Sequence, residues 1–422
     1  MITSRAAPLE ASTITQPLDL QQFKDYLADF REFGEPTRIE HLNSPAGSIP
    51  VFINEFWTSR QRAACSLHEV SYRACFKPQL PRFFIERLTT PGEIVYDPFM
   101  GRGTTLIEAA LLRRVPFGCD INPLSQIFAG ARLHPPTLTH IQQRLEEISF
   151  NRPCTGPPEL LAFYHPATLQ QINALRHYFM ERERTGTIDY VDRWIQMVAT
   201  NRLTGHSTGF FSVYTLPPNQ AVSVKSQIKI NATRRQVPPP RDVPKIILKK
   251  SRQLLSKLTP QNLASLRRVA EDRLLITGFS SATPQIKNST ISLVVTSPPF
   301  LDIVDYRADN WLRCWFLGID PAAVQVTTPR SVDQWQAGMT TTFSELNRVL
   351  RRGGQVAFEV GEVRKGTVRL EEVALKAGLD AGLQPAFILI NAQQFTKTAN
   401  CWGISNNSKG TNSNRIVLFS KK

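Results

Sequence analysis

Residues 296–300 read Thr-Ser-Pro-Pro-Phe and follow the apolar run 291–295. Two prolines cannot continue a central strand, because neither has an N–H to donate and each fixes its own φ. The strand must therefore end in a stiff turn that fixes Ser297, Pro298, Pro299 and Phe300 in space. Such a turn is either a simple strand end or a device for holding a hydroxyl, a carbonyl and a ring at set positions.

A second group of residues lies about 190 positions upstream, in Asp-Pro-Phe-Met-Gly-Arg-Gly-Thr-Thr at 97–105. Asp97 closes an apolar run, and Gly101-x-Gly103 opens a helical one. A turn this tight needs residues that tolerate unusual φ and let a ligand approach the backbone. Asp120 ends the next apolar run about 20 residues on, where a carboxylate can take both hydroxyls of a ribose. The third glycine of a dinucleotide fingerprint is missing, with Thr104, Thr105 and Leu106 in its place. That pattern argues against a pyrophosphate-bearing cofactor and for a nucleoside without phosphates, a description that S-adenosylmethionine fits.

The elements that must position these groups follow from periodicity. Residues 80–88 suit a helix, 93–97 a buried strand, 104–114 a helix and 116–121 a second strand, which is a βαβ unit of a parallel sheet. After Pro135-Pro136 the rhythm becomes helical: Leu169, Ile172, Leu175 and Phe179 share one face, and Tyr190, Trp194 and Val198 another. The segment 225–257 then carries ten Lys or Arg against the single acid Asp242. Strand-like runs resume at 273–279 and 291–296, and continue through a helix at 343–352, the turn Gly353-Gly354 and strands at 355–361 and 415–420. The fold class expected is α/β, Rossmann-like, with a mostly parallel sheet interrupted by a largely helical and basic insertion. Its parts are an N-terminal extension over 1–55, a catalytic domain built from 56–135 and 270–422, and an inserted region over 136–269.

Bulk properties limit the partners. The 422 residues carry a formal charge of +15 at a pI near 9.8, which favours a polyanionic partner. No apolar run reaches the roughly 18 residues of a membrane span, and the start lacks a signal-peptide core, so a cytoplasmic, nucleoid-associated protein is expected. The six cysteines and seven histidines show no Cys-x-x-Cys pair and no ligand-spaced cluster, so neither a disulfide framework nor a metal site is indicated. Pro153-Cys154 follows no strand and reads as ordinary loop.

Taken together, 97–105, Gly-Cys-Asp-Ile-Asn-Pro at 118–123 and Thr-Ser-Pro-Pro-Phe at 296–300 resemble the cofactor, ribose and catalytic motifs of the DNA amino-methyltransferase family. Phe-Lys-Pro-Gln-Leu-Pro and the helix after it, 76–88, resemble the family segment that closes over the methionine end of the cofactor. The resemblance covers 68–125 and 274–365. It implies an enzyme that uses S-adenosylmethionine to methylate an exocyclic amine in duplex DNA, with a possible cognate restriction endonuclease acting on the same site. The cofactor site would comprise Lys77, Asp97, Phe99, Gly101, Gly103, Thr104, Thr105, Asp120 and Asn122. Serine at the first catalytic position is, in this family, mostly associated with cytosine-N4.

The chemistry gives those residue types a reason. An exocyclic amine is a poor nucleophile because its lone pair is delocalised into the ring. Hydrogen bonds from its two N–H groups to the Ser297 hydroxyl and the Pro298 carbonyl would favour a pyramidal nitrogen aimed at the methyl group. Phe300 would stack on a base turned out of the duplex. Two departures from the family stand out: Gly278-Phe279-Ser280 occupies the place of an acid near the cofactor's adenine, and Phe300 replaces the commoner tyrosine. Among the bases, Lys225, Lys229, Arg234, Arg235, Lys249 and Lys250 are expected on DNA phosphates, and a loop is expected to present Asn412, Asn414 and Arg415 to DNA. Three rivals share parts of this pattern: adenine-N6 methylation, an RNA guanine-N2 methyltransferase, and a DNA-binding protein with a degenerate core.

Overall fold

The run Ile291–Thr296 is buried at every position, as a strand covered on both faces must be. It lies inside a nine-stranded sheet in a computed structural model that describes residues 16–57, 65–72, 75–152, 156–215, 221–299, 306–325, 329–360, 369–392 and 413–422. The strands are β1 (Arg38–Ser44), β2 (Gly47–Asn54), β3 (Ile94–Asp97), β4 (Val115–Asp120), β5 (Leu274–Thr277), β6 (Ile291–Thr296), β7 (Leu350–Val360), β8 (Gln384–Ala392) and β9 (Ser413–Ser420). The helices are α1 (Leu20–Ala28), α2 (Gln79–Leu88), α3 (Thr104–Leu111), α4 (Pro123–Leu133), α5 (Leu138–Glu147), α6 (Pro166–Arg184), α7 (Tyr190–Arg202), α8 (Val224–Arg234), α9 (Val243–Leu255), α10 (Pro260–Val269), α11 (Tyr306–Leu317), α12 (Val332–Val349) and α13 (Leu370–Asp380).

The sheet order is β1-β2-β8-β9-β7-β6-β3-β4-β5, and all pairs are parallel except β1 with β2 and β9 with its two neighbours. From β3 the chain winds outward through β4 and β5, then returns to place β6 on the other side of β3. Such an order reversal opens a crevice at the carboxyl ends of the two central strands. Asp97 and Thr296, the last residues of β3 and β6, therefore stand at its floor.

Alternation along the strands builds the layers. Val95, Leu293, Val295 and Ala357 pack against α1 and α2, while Tyr96, Val294, Val356 and Phe358 pack against α12 and α13. The helices of 136–269 do not form a core of their own. One cluster joins Ile107, Leu124 and Phe128 of α3 and α4 to Trp194 and Val198 of α7 and to Ile247 and Leu254 of α9. Residues 38–54 are also more integral than an extension: β1 and β2 pair with each other, and β2 adds to the sheet beside β8. None of the described helices is long and apolar enough to cross a membrane.

Candidate active site

Asp97 closes β3 with a side chain only 1% exposed. Its Oδ1 accepts the Phe99 N–H at 3.1 Å and the Thr296 hydroxyl at 2.6 Å. Burial pushes its pKa up to about 7, against the opposing effect of those hydrogen bonds. Gly101 and Gly103 both adopt positive φ, +47° and +78°. At Gly103 an added Cβ would stand 2.6 Å from the Ala129 Cβ, so glycine is required there both by φ and by the approach of α4. Beneath the turn the fully buried Arg132 donates to the carbonyls of Phe128, Leu67 and Arg102.

Asp120 ends β4 half-buried. Its Oδ2 accepts the Gly101 N–H and its Oδ1 the Asn122 N–H, each at 2.8 Å. Burial holds its pKa above the ordinary carboxylate value. Among the described residues no Lys or Arg pairs with it. A carboxylate oriented by backbone and left without a cation is an acceptor for hydroxyl donors, as a vicinal diol supplies.

At the end of β6, Ser297 is half-buried, Pro298 buried and Pro299 exposed. The indole N–H of Trp335, buried on α12, donates to the Pro299 carbonyl at 3.2 Å and so ties the turn to the helix layer. Phe358 of β7 is registered on Thr296, which sets Glu359 beside the first residue of the turn. Burial pushes the Glu359 carboxyl up to about 7, and Asn414 donates a hydrogen bond to it.

Asp97, Phe99, Gly101, Gly103, Asp120 and the turn at Ser297–Pro299 thus gather along one edge of the sheet. Other expected residues are used differently. Thr104 and Thr105 are buried: the Thr104 hydroxyl accepts from Arg102 Nε at 3.1 Å, and that of Thr105 donates to the Val295 carbonyl at 3.0 Å. Their position in the first turn of α3 aims them into the protein, not at a ligand. Asn122, 4% exposed, caps α4 through Leu124 N–H and bonds the Tyr72 hydroxyl at 2.9 Å, so its amide works inside the fold. Lys77 is exposed just ahead of α2.

Lys225, Lys229, Arg234 and Arg235 are exposed on α8 and its C-terminal cap, and Lys249 is exposed on α9. The Arg234 guanidinium lies 3.7 Å from the centre of the Tyr214 ring. Lys250 departs from these surface positions, because the α9 period turns it inward with Val243, Ile247 and Leu254. Only 7% exposed, it bonds Gln253 Oε1 at 3.0 Å, and burial lowers its pKa to about 8. Arg415 departs too: it lies in β9, ion-paired with Glu371 at 2.6 Å, where a carboxylate already neutralises it. Asn414 is likewise in β9 and bonded to Glu359, whereas Asn412 and Phe300 lie outside the described residues.

Sequence reasoning did not single out Thr296, Trp335 or Glu359, whose partners are set by the fold. Phe279 is 46% exposed directly after Gly278, whose N–H donates to the Asp120 carbonyl at 2.9 Å. Among the described residues no group of His, Cys, Asp and Glu is placed to hold a metal ion.

A family profile described as DNA methylase, covering N6 and N4 enzymes, matches residues 40–126, which include β3, the glycine turn and Asp120. Over that segment the chain is similar to the DNA amino-methyltransferase family. The type II methyltransferase M.MjaII of Methanocaldococcus jannaschii is 39% identical over 62 residues, 15% of this chain and 12% of that one. M.BsoBI of Geobacillus stearothermophilus, also a type II methyltransferase, is 23% identical over 299 residues, 62% of this chain and 54% of that one. The chain thus spans between about one eighth and about half of the length of these relatives. A TehB-like SAM-dependent methyltransferase from Corynebacterium glutamicum is 8% identical with a TM-score of 0.30, over 81% of this chain and 87% of that one.

Proposed function

We propose that this chain is an S-adenosylmethionine-dependent DNA methyltransferase that methylates the exocyclic N4 of cytosine at a specific duplex site, after turning the base out of the helix. The observation that carries the reading is the Thr296–Asp97 hydrogen bond, which joins the end of the glycine-turn strand to the start of the Ser-Pro-Pro turn. A cofactor bound at one and an amine held at the other would be neighbours.

The residues fit the cofactor. The Asp120 carboxylate, with no cation paired to it among the described residues, suits the ribose hydroxyls, the half-buried turn at Gly101 and Arg102 suits the methionine portion, and the exposed Phe279 ring suits the adenine. Bound there, the cofactor supplies an electrophilic methyl group on sulfonium. The chain's own part is to orient the amine. Ser297 and the Pro298 carbonyl accept its two N–H groups and direct the lone pair, in a geometry whose misplacement costs much rate. The methyl group would pass to the nitrogen lone pair held by these acceptors, with S-adenosylhomocysteine as leaving group, and the surplus N–H proton would leave to solvent water past the half-buried Ser297. Phe300 would stack on the flipped base, and the exposed bases of α8 would hold phosphates. On the likeness to enzymes named type II methyltransferases, a restriction endonuclease of the same specificity is the expected partner.

Mass spectrometry of nucleosides from duplex DNA methylated in vitro tests the reading. N4-methylcytosine is the expected product. N6-methyladenine as the sole product assigns the site to the other amine of the family, and incorporation into RNA but not DNA overturns the substrate class.

A further inference from the structure

A cavity of about 480 Å³ opens between the glycine turn, the segment before α2 and the helices α7 and α9. Its walls carry Arg102, Arg202 and Lys250, with the rings of Tyr72 and Phe210. Arg102 is the middle residue of Gly101-x-Gly103. Its Nη1 donates to the carbonyls of His68 and Val70 at 3.1 and 2.9 Å, which holds it in place without neutralising it. Arg202 is 8% exposed, and its only described hydrogen bonds are to its neighbour Asn201, while its guanidinium lies 4.0 Å from the centre of the Phe210 ring. Lys250 is 7% exposed and bonds only Gln253 Oε1 among the described residues. The one carboxylate on the wall, Glu69, is exposed and engaged by Gln253 Nε2 at 2.6 Å.

Buried cations are ordinarily paired, because burial without a counter-charge is costly. Here two of them face one cavity with no carboxylate in ion-pair contact among the described residues, Glu69 acting on Lys250 only as the smallest electrostatic influence, and a third stands on the cofactor turn. We propose that this cavity is a phosphate-binding subsite that holds a backbone phosphodiester of the DNA substrate against the glycine turn. The inference rests on the reading of the chain as a DNA methyltransferase. Three cations exceed what a single carboxylate needs, and an Arg stacked on Phe210 beside Tyr72 suits a nucleotide's phosphate and sugar. The cavity volume lies in the range of small-ligand sites. Its cations come from both the core and the 136–269 region, so an occupied subsite would register the DNA backbone on the catalytic crevice. The depressed proton affinity of Arg202 and Lys250, caused first by burial, is what an arriving anion would relieve.

The test compares the full chain with the Arg202→Met, Lys250→Met double variant and with Lys250→Met alone. A 24-base-pair duplex read by fluorescence anisotropy across salt concentrations should bind about 10–100-fold more weakly to the double variant at low salt, with a salt slope lower by about 1–2. S-adenosylhomocysteine affinity by calorimetry should stay within about 2-fold of wild type, as no phosphate is involved. Inorganic pyrophosphate should raise the melting temperature of the wild type and leave that of the variants unchanged. Without ligand the variants should melt no lower than wild type, since an unpaired buried cation has been removed. An unchanged salt slope in folded variants overturns the subsite while leaving the enzyme reading intact. Lost S-adenosylhomocysteine affinity with normal DNA binding assigns the cavity to the cofactor's carboxylate instead. Failure of the wild type itself to bind duplex DNA takes down the underlying reading along with the subsite.

Discussion

The Thr296 hydroxyl donates to the buried Asp97 carboxylate at 2.6 Å, across 199 residues of chain. The bond ties the last residues of two adjacent parallel strands, each of which leads into a turn of the candidate site. Thr296→Val keeps the shape and removes the donor, leaving a buried carboxylate short of one partner. We expect a loss of about 1–3 kcal/mol in stability at neutral pH, read as a lower urea midpoint at unchanged slope. A midpoint equal to wild type would show that the two strand ends are held together by packing alone.

Asp120 makes a separable contribution. Its two backbone hydrogen bonds orient it at the end of β4. Asp120→Ala should weaken S-adenosylmethionine binding by about 1.5–3 kcal/mol, the scale of charge-assisted hydrogen bonds. Calorimetry on a folded variant checks this, and unchanged affinity removes Asp120 from the cofactor site.

Strands β3 to β7 and β9, the glycine turn and the Pro-Pro turn were legible because each is set by local rules, namely buried β-type runs, positive φ at Gly101 and Gly103, and the absent N–H of proline, whereas β1, β2 and β8 were not read. What local patterns could not give was which way polar residues face. Thr104, Thr105 and Asn122 look like ligands in the sequence, yet Arg102, β6 and the start of α4 claim their side chains. Lys250 sits in a run of bases, but the same 3.6-residue period that buries Ile247 and Leu254 buries it as well. The partners of Thr296, Trp335 and Glu359 are set by strand order and layer packing, which no short window of sequence contains.

Glu359 makes the stability of the fold depend on pH. Its folded pKa is raised from 4.5 to about 7, so the native state keeps a proton that the unfolded chain releases. The stability this contributes is complete below about pH 4.5 and is lost as pH rises through about 7. Asp97 acts in the same direction, and Asp189, held down to about 2, acts in the opposite one at lower pH. Glu359→Gln leaves those two in place, so the difference from wild type isolates one group. The variant should be close to wild type at pH 5 and more stable by roughly 1–3 kcal/mol at pH 8. Urea unfolding at the two pH values checks the sign, and a difference independent of pH would mean that Glu359 is ionised in the native state.

The turn at Ser297–Pro299 is held from two sides, by the Thr296–Asp97 bond behind it and by the Trp335 indole on the Pro299 carbonyl at 3.2 Å. If Ser297 accepts a hydrogen bond that strengthens as the amine pyramidalises, removing the hydroxyl should cost mainly in the transition state. Ser297→Ala should lower kcat by about 10²–10³, with DNA and cofactor affinities within a few-fold of wild type. Trp335→Phe keeps one aromatic ring in the buried site and loses the pyrrole half with its N–H donor, so the turn is freed without losing either acceptor. It should lower kcat by about 10-fold with a smaller change in KM, because misplacement of an intact group costs less than its removal. Single-turnover kinetics on the two variants separate these cases. Near-wild-type turnover in Ser297→Ala would leave the two prolines as a strand end and nothing more.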